Sequence, residues 1–246
     1  MTSDWYLADV PRLIAETDAL YARIAEKFPG KTKESLTIQK IVEERGWEGT
    51  LGLYKDRFED VVRQLGCFYV PKVMPPGPAF VFPMRGADGA VIRAQTKPLE
   101  GSVLMGEGMK YRYIGDRNKY LGPNWLGNDP ETITLIIQRQ AVMCVEGPFD
   151  LLAIRLACPG YPVLSPLTKR LGKAHIAYLR ILGVKRLFLM YDNEAQGEES
   201  MEQQKRQIRS MLVVPCECPQ KDPSMALEKL EWAKELSSRI RQQFEY

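Results

Sequence analysis

The chain has 246 residues, 45% of them hydrophobic and 26% charged, a balance that supports a full-sized core and excludes collagen-like, disulfide-scaffold and wholly disordered chains. Lys and Arg number 34 against 31 Asp and Glu, a net charge of +3, so contact with a polyanion must rest on local basic patches rather than bulk charge. No run approaches the roughly 18 uncharged apolar residues of a membrane span, and the N-terminus opens with acids where a secretory signal carries bases. Five cysteines, Cys67, Cys144, Cys158, Cys216 and Cys218, make an odd number without secretory context, and the expectation is a cytoplasmic chain with reduced thiols and no membrane contact.

From Asp9 to about Leu65 the pattern is helical. Leu13, Leu20, Ile24 and Phe28 recur at turn spacing, Pro29-Gly30 ends the first helix, and a second amphipathic run passes through Ile38, Ile41 and Val42. Pro71–Pro78 holds four prolines and a glycine; it cannot continue a helix and reads as a linker, with a boundary near residue 75. Ala79–Met84 and Ala90–Ala94 flank the turn signal Asp88-Gly89 and predict a β-hairpin. A loop rich in Gly, Lys and Tyr follows from Gly101 to Gly127.

Beyond residue 140 the rhythm becomes strand, turn, helix. Apolar strands are expected at 141–145, 161–164, 186–191 and 212–215, and helices at Phe149–Ala157, Lys169–Leu182, Gln196–Met211 and Ser224–Phe244. Such alternation implies an α/β fold, a parallel sheet flanked by helices. The expected organisation is therefore a helical region over 1–75, a small mixed α/β subdomain with a basic loop over 76–140, an α/β domain over 141–222 and a closing helix over 223–246.

In open parallel sheets, ligands bind beyond the carboxyl ends of the strands. Glu146 and Asp192 both stand where an apolar strand stops, Asp150 follows Glu146 by one helical turn, and Glu194 follows Asp192 by two residues. Two carboxylates about 4 Å apart repel by roughly 4 kcal/mol at an effective dielectric near 20, which favours a cation between them. Oxygen-only ligation points to Mg²⁺ or Mn²⁺. The plainer role for each acid is an N-cap of the next helix.

Val145-Glu146-Gly147-Pro148-Phe149-Asp150, followed by Met190-Tyr191-Asp192-Asn193-Glu194-Ala195-Gln196-Gly197, resembles the TOPRIM signature of bacterial-type and phage-type DNA primases and of topoisomerases. Gln220-Lys221-Asp222-Pro223 resembles the Lys-Asp-Pro of the primase branch. Upstream, Val81-Phe82-Pro83-Met84, the Asp88-Gly89 turn, Lys110-Tyr111 and Asn118-Lys119-Tyr120-Leu121 stand in the order found in the first half of a primase polymerase core. The resemblance covers about residues 50 to 225. It implies a TOPRIM-type sheet and metal-dependent nucleotidyl transfer, the synthesis of short RNA primers on a single-stranded DNA template from nucleoside triphosphates. It also implies the roles: Glu146, Asp192 and Glu194 as metal ligands, Asp150 supporting the site, and Asp222 at its edge among the metal-holding acids. A replicative helicase or another replisome protein is a candidate partner. A nuclease, or a non-catalytic nucleic-acid-binding subunit, is the alternative. The sequence departs from the pattern at Glu194, where the motif has Asp, and at Ser165-Pro166-Leu167-Thr168, where a Gly-Thr turn is usual; no Cys/His zinc ribbon precedes the core.

Lys110, Tyr111, Arg112, Tyr113, Arg117, Lys119 and Tyr120 interleave cations with rings, a mixture suited to single-stranded nucleic acid, because cations track phosphates and rings stack bases. Arg93 and Lys97 extend that surface from the hairpin. Cys216 and Cys218 read as strand-end packing, since a zinc site needs four ligands and the single histidine, His175, is remote in sequence. His175 itself reads as helix surface or core filler.

Overall fold

The computed structural model describes residues 9–105, 110–115, 123–168, 170–191 and 202–245. Three helices open the chain: α1 (Val10–Lys27), α2 (Lys33–Arg45) and α3 (Glu48–Leu65). Asp9 caps α1 by accepting the Arg12 amide at 3.0 Å. Thr32 and Ser35 cap α2 reciprocally, each satisfying an amide that has no partner in the first turn. Phe28 falls past the end of α1 and is 58% exposed, so it does not continue the apolar face.

An antiparallel sheet follows in the order β1-β2-β3-β4, from β1 (Phe68–Val70), β2 (Ala79–Arg85), β3 (Val91–Pro98) and β4 (Arg112–Ile114). The hairpin around Asp88-Gly89 forms as expected, with Asp88 accepting the Ala90 amide at 3.0 Å. The proline-rich stretch differs from its expected role as a linker. Phe68 pairs with Val81 and Val70 with Ala79, so Pro71–Pro78 joins two neighbouring strands and the chain does not separate into units near residue 75. Strand β4 lies inside the stretch expected to be a loop.

Next come α4 (Pro130–Arg139), β5 (Ala141–Val145), α5 (Pro148–Ala157), β6 (Val163–Leu164), α6 (Lys173–Ile181), β7 (Arg186–Met190) and β8 (Leu212–Pro215). Residues 202–207 are helical. A 3-10 turn at Met225–Leu227 precedes α7 (Leu230–Glu245), so the expected closing helix begins as a separate turn. The strands form a parallel sheet, order β6-β5-β7-β8. Its alternating side chains divide between two cores. Met143, Val145, Phe188 and Met190 pack with α5, α7 and the α2–α3 layer, whereas Val142, Cys144, Leu187 and Leu189 pack with Ile136 of α4 and with α6. All ten residues of α5 are buried, as expected of a helix held between layers. Phe82 of β2 meets Phe149 of α5 edge-on at 5.3 Å, and α1 covers the other face of the antiparallel sheet.

The two sheets are spliced by one short segment. Trp125 bridges to Arg85 of β2, and Leu126 bridges to Ser165 beyond β6. Gly127 then turns with φ +84°; a Cβ there would sit 2.9 Å from Arg155 Nη2 and Leu151 Cδ1, so only glycine fits. Asp129 caps α4 and pairs with Arg155 at 2.6 Å, both side chains being 8% exposed. Arg155 also donates to the Gly127 carbonyl at 2.7 Å and to Thr132 Oγ1 at 2.6 Å.

All five cysteines are buried free thiols. Burial pushes Cys67, Cys216 and Cys218 up to about 12, far from the thiolate range. His175 is not filler. Its Nδ1 accepts the Gly172 amide at 3.2 Å, Nε2 faces the Asn124 carbonyl at 3.3 Å, and its ring meets Trp125 at 4.7 Å. Among the described residues no helix is long and apolar enough to cross a membrane.

Two stability predictions follow from these contacts. Asp129→Ala leaves the Arg155 charge buried without its counter-ion and is expected to cost about 3–5 kcal/mol in urea unfolding. Burial lowers the His175 pKa below its ordinary 6.5, so the neutral ring's contribution is complete above that value and is lost as the pH falls through the folded-state pKa. Thermal melting between about pH 7.5 and 5 should therefore show a steeper loss for the wild type than for His175→Gln, which does not titrate in that range.

Candidate active site

Strands β5 and β7 run parallel with Val145 opposite Met190, so both chains leave the sheet at one rim. Glu146 stands at the end of β5, and its carbonyl accepts Ser165 Oγ–H at 3.0 Å. Gly147 is the N-cap of α5. Asp150 reaches back so that Oδ2 accepts the Gly147 amide at 3.0 Å, while Oδ1 accepts the Ser224 amide at 3.3 Å. Asp222 caps the turn before α7: Oδ1 accepts Ser224 Oγ–H at 2.8 Å and the Met225 amide at 2.9 Å.

These three carboxylates line one cleft of about 540 Å³, together with Arg45, Gln95, Lys97, Lys110, Tyr111 and Lys221. The cations Arg45, Lys97, Lys110 and Lys221 come from four separate segments of the chain. Residues 93, 95 and 97 share a face of β3, because side chains alternate along a strand, and Gln95 and Lys97 reach the cleft from it. Arg45 comes from the C-terminus of α2 and donates to Ser224 Oγ. The Phe149 ring lies between Arg45 at 5.1 Å and Lys97 at 5.6 Å, so each cation lies near an aromatic face. Arg45 Nε is buried without a hydrogen-bond partner among the described residues. The α2–α3 layer also holds the opposite wall in place: Trp47 Nε1–H donates to the Ser224 carbonyl at 2.8 Å, and Thr50 Oγ1–H donates to the Leu227 carbonyl.

The structure brings together six of the residues singled out in the sequence: Glu146, Asp150, Asp222, Lys97, Lys110 and Tyr111. Arg93 is placed differently, its guanidinium 4.8 Å from the Tyr113 ring and outside the cleft lining. Arg112 is opposite Thr96, on the face of β4 away from the cleft, where the neighbouring Ile114 packs with α1. Asp192, Glu194, Arg117, Lys119 and Tyr120 lie outside the described residues. Arg45 and Gln95 carried no local signal in the sequence; only tertiary packing brings them to the rim. Among the described residues no three His, Cys, Asp or Glu side chains assemble as a metal cluster. A cleft in which carboxylates and cations stand side by side suits a ligand carrying both phosphates and a metal ion.

No protein-family model matches the sequence, and no curated protein matches it. Solved structures do match. The RNA polymerase domain of Mycobacterium tuberculosis primase DnaG superposes with a TM-score of 0.65 at 17% identity, over 97% of this chain and 84% of that one. The fold is that of a primase RNA polymerase domain. The Aquifex aeolicus primase fragment with zinc-binding and RNA polymerase domains gives 0.65 at 19% identity, this chain covering 59% of it. The bacteriophage T7 primase fragment gives 0.51 at 16% identity, over 76% of this chain and 69% of that one. The M. tuberculosis domain is also solved with double-stranded DNA, including an oligomer with a 6-nucleotide overhang. T7 primase domains are also solved in a complex of T7 lagging-strand DNA polymerase interacting with two of them, bound to an RNA/DNA hybrid and dTTP.

Within this primase fold, the Trp47–Ser224 bond holds the turn that carries Asp222. Trp47→Phe keeps the ring's contact with Phe58 at 6.1 Å but leaves a buried carbonyl without its donor, and is expected to lower unfolding free energy by about 1–3 kcal/mol in chemical denaturation.

Proposed function

We propose that this chain is the catalytic core of a DNA primase, joining ribonucleotides into short primers on single-stranded DNA. The observation that carries the reading is the convergence of Glu146, Asp150 and Asp222 with Arg45, Lys97, Lys110 and Lys221 in one cleft, in a chain with the primase RNA polymerase fold. The DNA and RNA/DNA hybrid bound by structural neighbours support the choice of partner.

In this reading the sheet is a TOPRIM sheet, and Glu146, Asp192, Glu194 and Asp222 are the residues that would hold Mg²⁺ or Mn²⁺, which when bound neutralises triphosphate charge and lowers the pKa of the attacking hydroxyl. The donor chemistry fits: the side chains are hard oxygen ligands, and both capping bonds of Asp222 fall on Oδ1, leaving Oδ2 outside them. Asp150 has the positioning role, since its two oxygens hold the Gly147 and Ser224 amides. Arg45, Lys97, Lys110 and Lys221 bind the triphosphate and the template phosphates, and Tyr111 offers a ring to a base. Arg117, Lys119 and Tyr120 extend this basic surface along the template. The 3′-hydroxyl of the growing primer attacks the α-phosphorus and pyrophosphate leaves. No protein nucleophile takes part, so catalysis is positioning and charge.

The test is primer synthesis from labelled ribonucleoside triphosphates on single-stranded DNA with Mg²⁺ or Mn²⁺. Short RNA products are expected, and Glu146→Gln should reduce their rate about a hundredfold or more. Template shortening in place of RNA products, or full synthesis by Glu146→Gln, would refute the assignment.

A further inference from the structure

The turn after β6 holds a residue in an uncommon backbone conformation at the edge of the cleft. Leu167 has φ +56°, a region that a residue with a γ-branched apolar side chain seldom enters and that marks functional sites when the surroundings enforce it. Here they do. The Leu167 amide donates to Ser165 Oγ at 3.1 Å, and its carbonyl accepts Tyr113 O–H at 2.9 Å. Gln95 Nε2–H in turn donates to Tyr113 Oη at 3.2 Å, while the Arg93 guanidinium lies 4.8 Å from the Tyr113 ring. The antiparallel sheet thus grips the turn of the parallel sheet from across the cleft. The side chain held this way is 7% exposed, packed at the edge of the hydrophobic core, and lines the cleft beside Pro148 and Phe149.

We propose that Leu167 is the apolar wall against which the base of a bound nucleotide packs, and that Tyr113 is the positioning residue that holds this wall in place. The inference rests on the reading of the cleft as a nucleotide site and adds to it a separation of labour: cations take the phosphates, and Leu167 takes the ring.

The experiment compares two probes, ATP and inorganic tripolyphosphate, titrated with Mg²⁺ into wild type, Leu167→Gly and Leu167→Met, with folding checked by circular dichroism. Glycine adopts the positive φ without strain, so the backbone survives while the wall is lost; methionine restores an apolar side chain. ATP affinity is expected to fall about tenfold or more in Leu167→Gly and to recover in Leu167→Met, with tripolyphosphate affinity unchanged throughout. Equal losses for both probes, or no loss for either, would overturn the proposal while leaving the nucleotide reading intact. Failure of the wild type to bind either probe would overturn both. Tyr113→Phe, which removes the grip and keeps the ring, should reproduce the selective loss of ATP affinity, and a loss shared with tripolyphosphate would count against its positioning role.

Discussion

The molecule depends on a backbone splice. Main-chain amides and carbonyls inside a folded chain must find partners, and segment 125–126 supplies them to two sheets at once. Trp125 exchanges both hydrogen bonds with Arg85, at 3.0 and 3.3 Å, and Leu126 exchanges both with Ser165, at 2.9 and 3.0 Å. Adjacent residues thus face opposite ways, as strand geometry dictates, and fasten the antiparallel sheet to the parallel one. Arg155 anchors the splice. A guanidinium taken from water is costly unless its charge is met, and here one carboxylate, one carbonyl and one hydroxyl gather around its Nη2. Ser165 carries the connection to the rim, with its hydroxyl donating to the Glu146 carbonyl and accepting the Leu167 amide.

The cleft is a consequence of that junction. Parallel strands deliver acids where they end, because loops and helix N-termini gather there; the antiparallel sheet delivers Gln95 and Lys97 from one face of β3, and α2 delivers Arg45. Acids and cations are interleaved there: Lys221 adjoins Asp222, and Arg45 donates to Ser224, whose hydroxyl donates to Asp222. Lys97 also pairs with Glu44, so part of its charge is already balanced within the antiparallel side.

The periodic elements were legible in the sequence. The hairpin at Asp88-Gly89 and strands β5, β7 and β8 stand where alternation and turn chemistry put them. Helix α4 was not anticipated, because Ile133, Thr134, Ile136 and Ile137 are β-branched and carry weak helix propensity; the Asp129-Pro130 cap and first turn were the available signal. The proline-rich connection looked like a linker because composition reports that a helix ends, not which strands pair across the gap. Among candidate site residues, Glu146 and Asp150 were legible from their position after a strand and at the start of a helix, whereas Asp222 was marked only by the resemblance of Lys221-Asp222-Pro223 to a primase motif. Arg45 was not, since α2 reaches the rim only through the packing of Trp47 and Thr50 on the turn before α7. Arg112 was misleading for a simpler reason. Once residues 112–114 form a strand, neighbours in sequence must point to opposite faces, so a cation-rich run cannot present all its members to one ligand.

The capping and functional readings of an acid after a strand are not rivals here. Asp150 does local capping work, accepting the amide of the N-cap Gly147 from the third position of α5. With its other oxygen it accepts the amide of Ser224, far along the chain. That second bond draws the turn bearing Asp222 against the turn bearing Glu146. Ser224 then completes the link, donating from its hydroxyl to Asp222 and accepting from Arg45. A residue that reaches back to a helix N-terminus therefore fixes how two other acids stand relative to each other. Local capping chemistry is thus the means by which the cleft acquires its geometry.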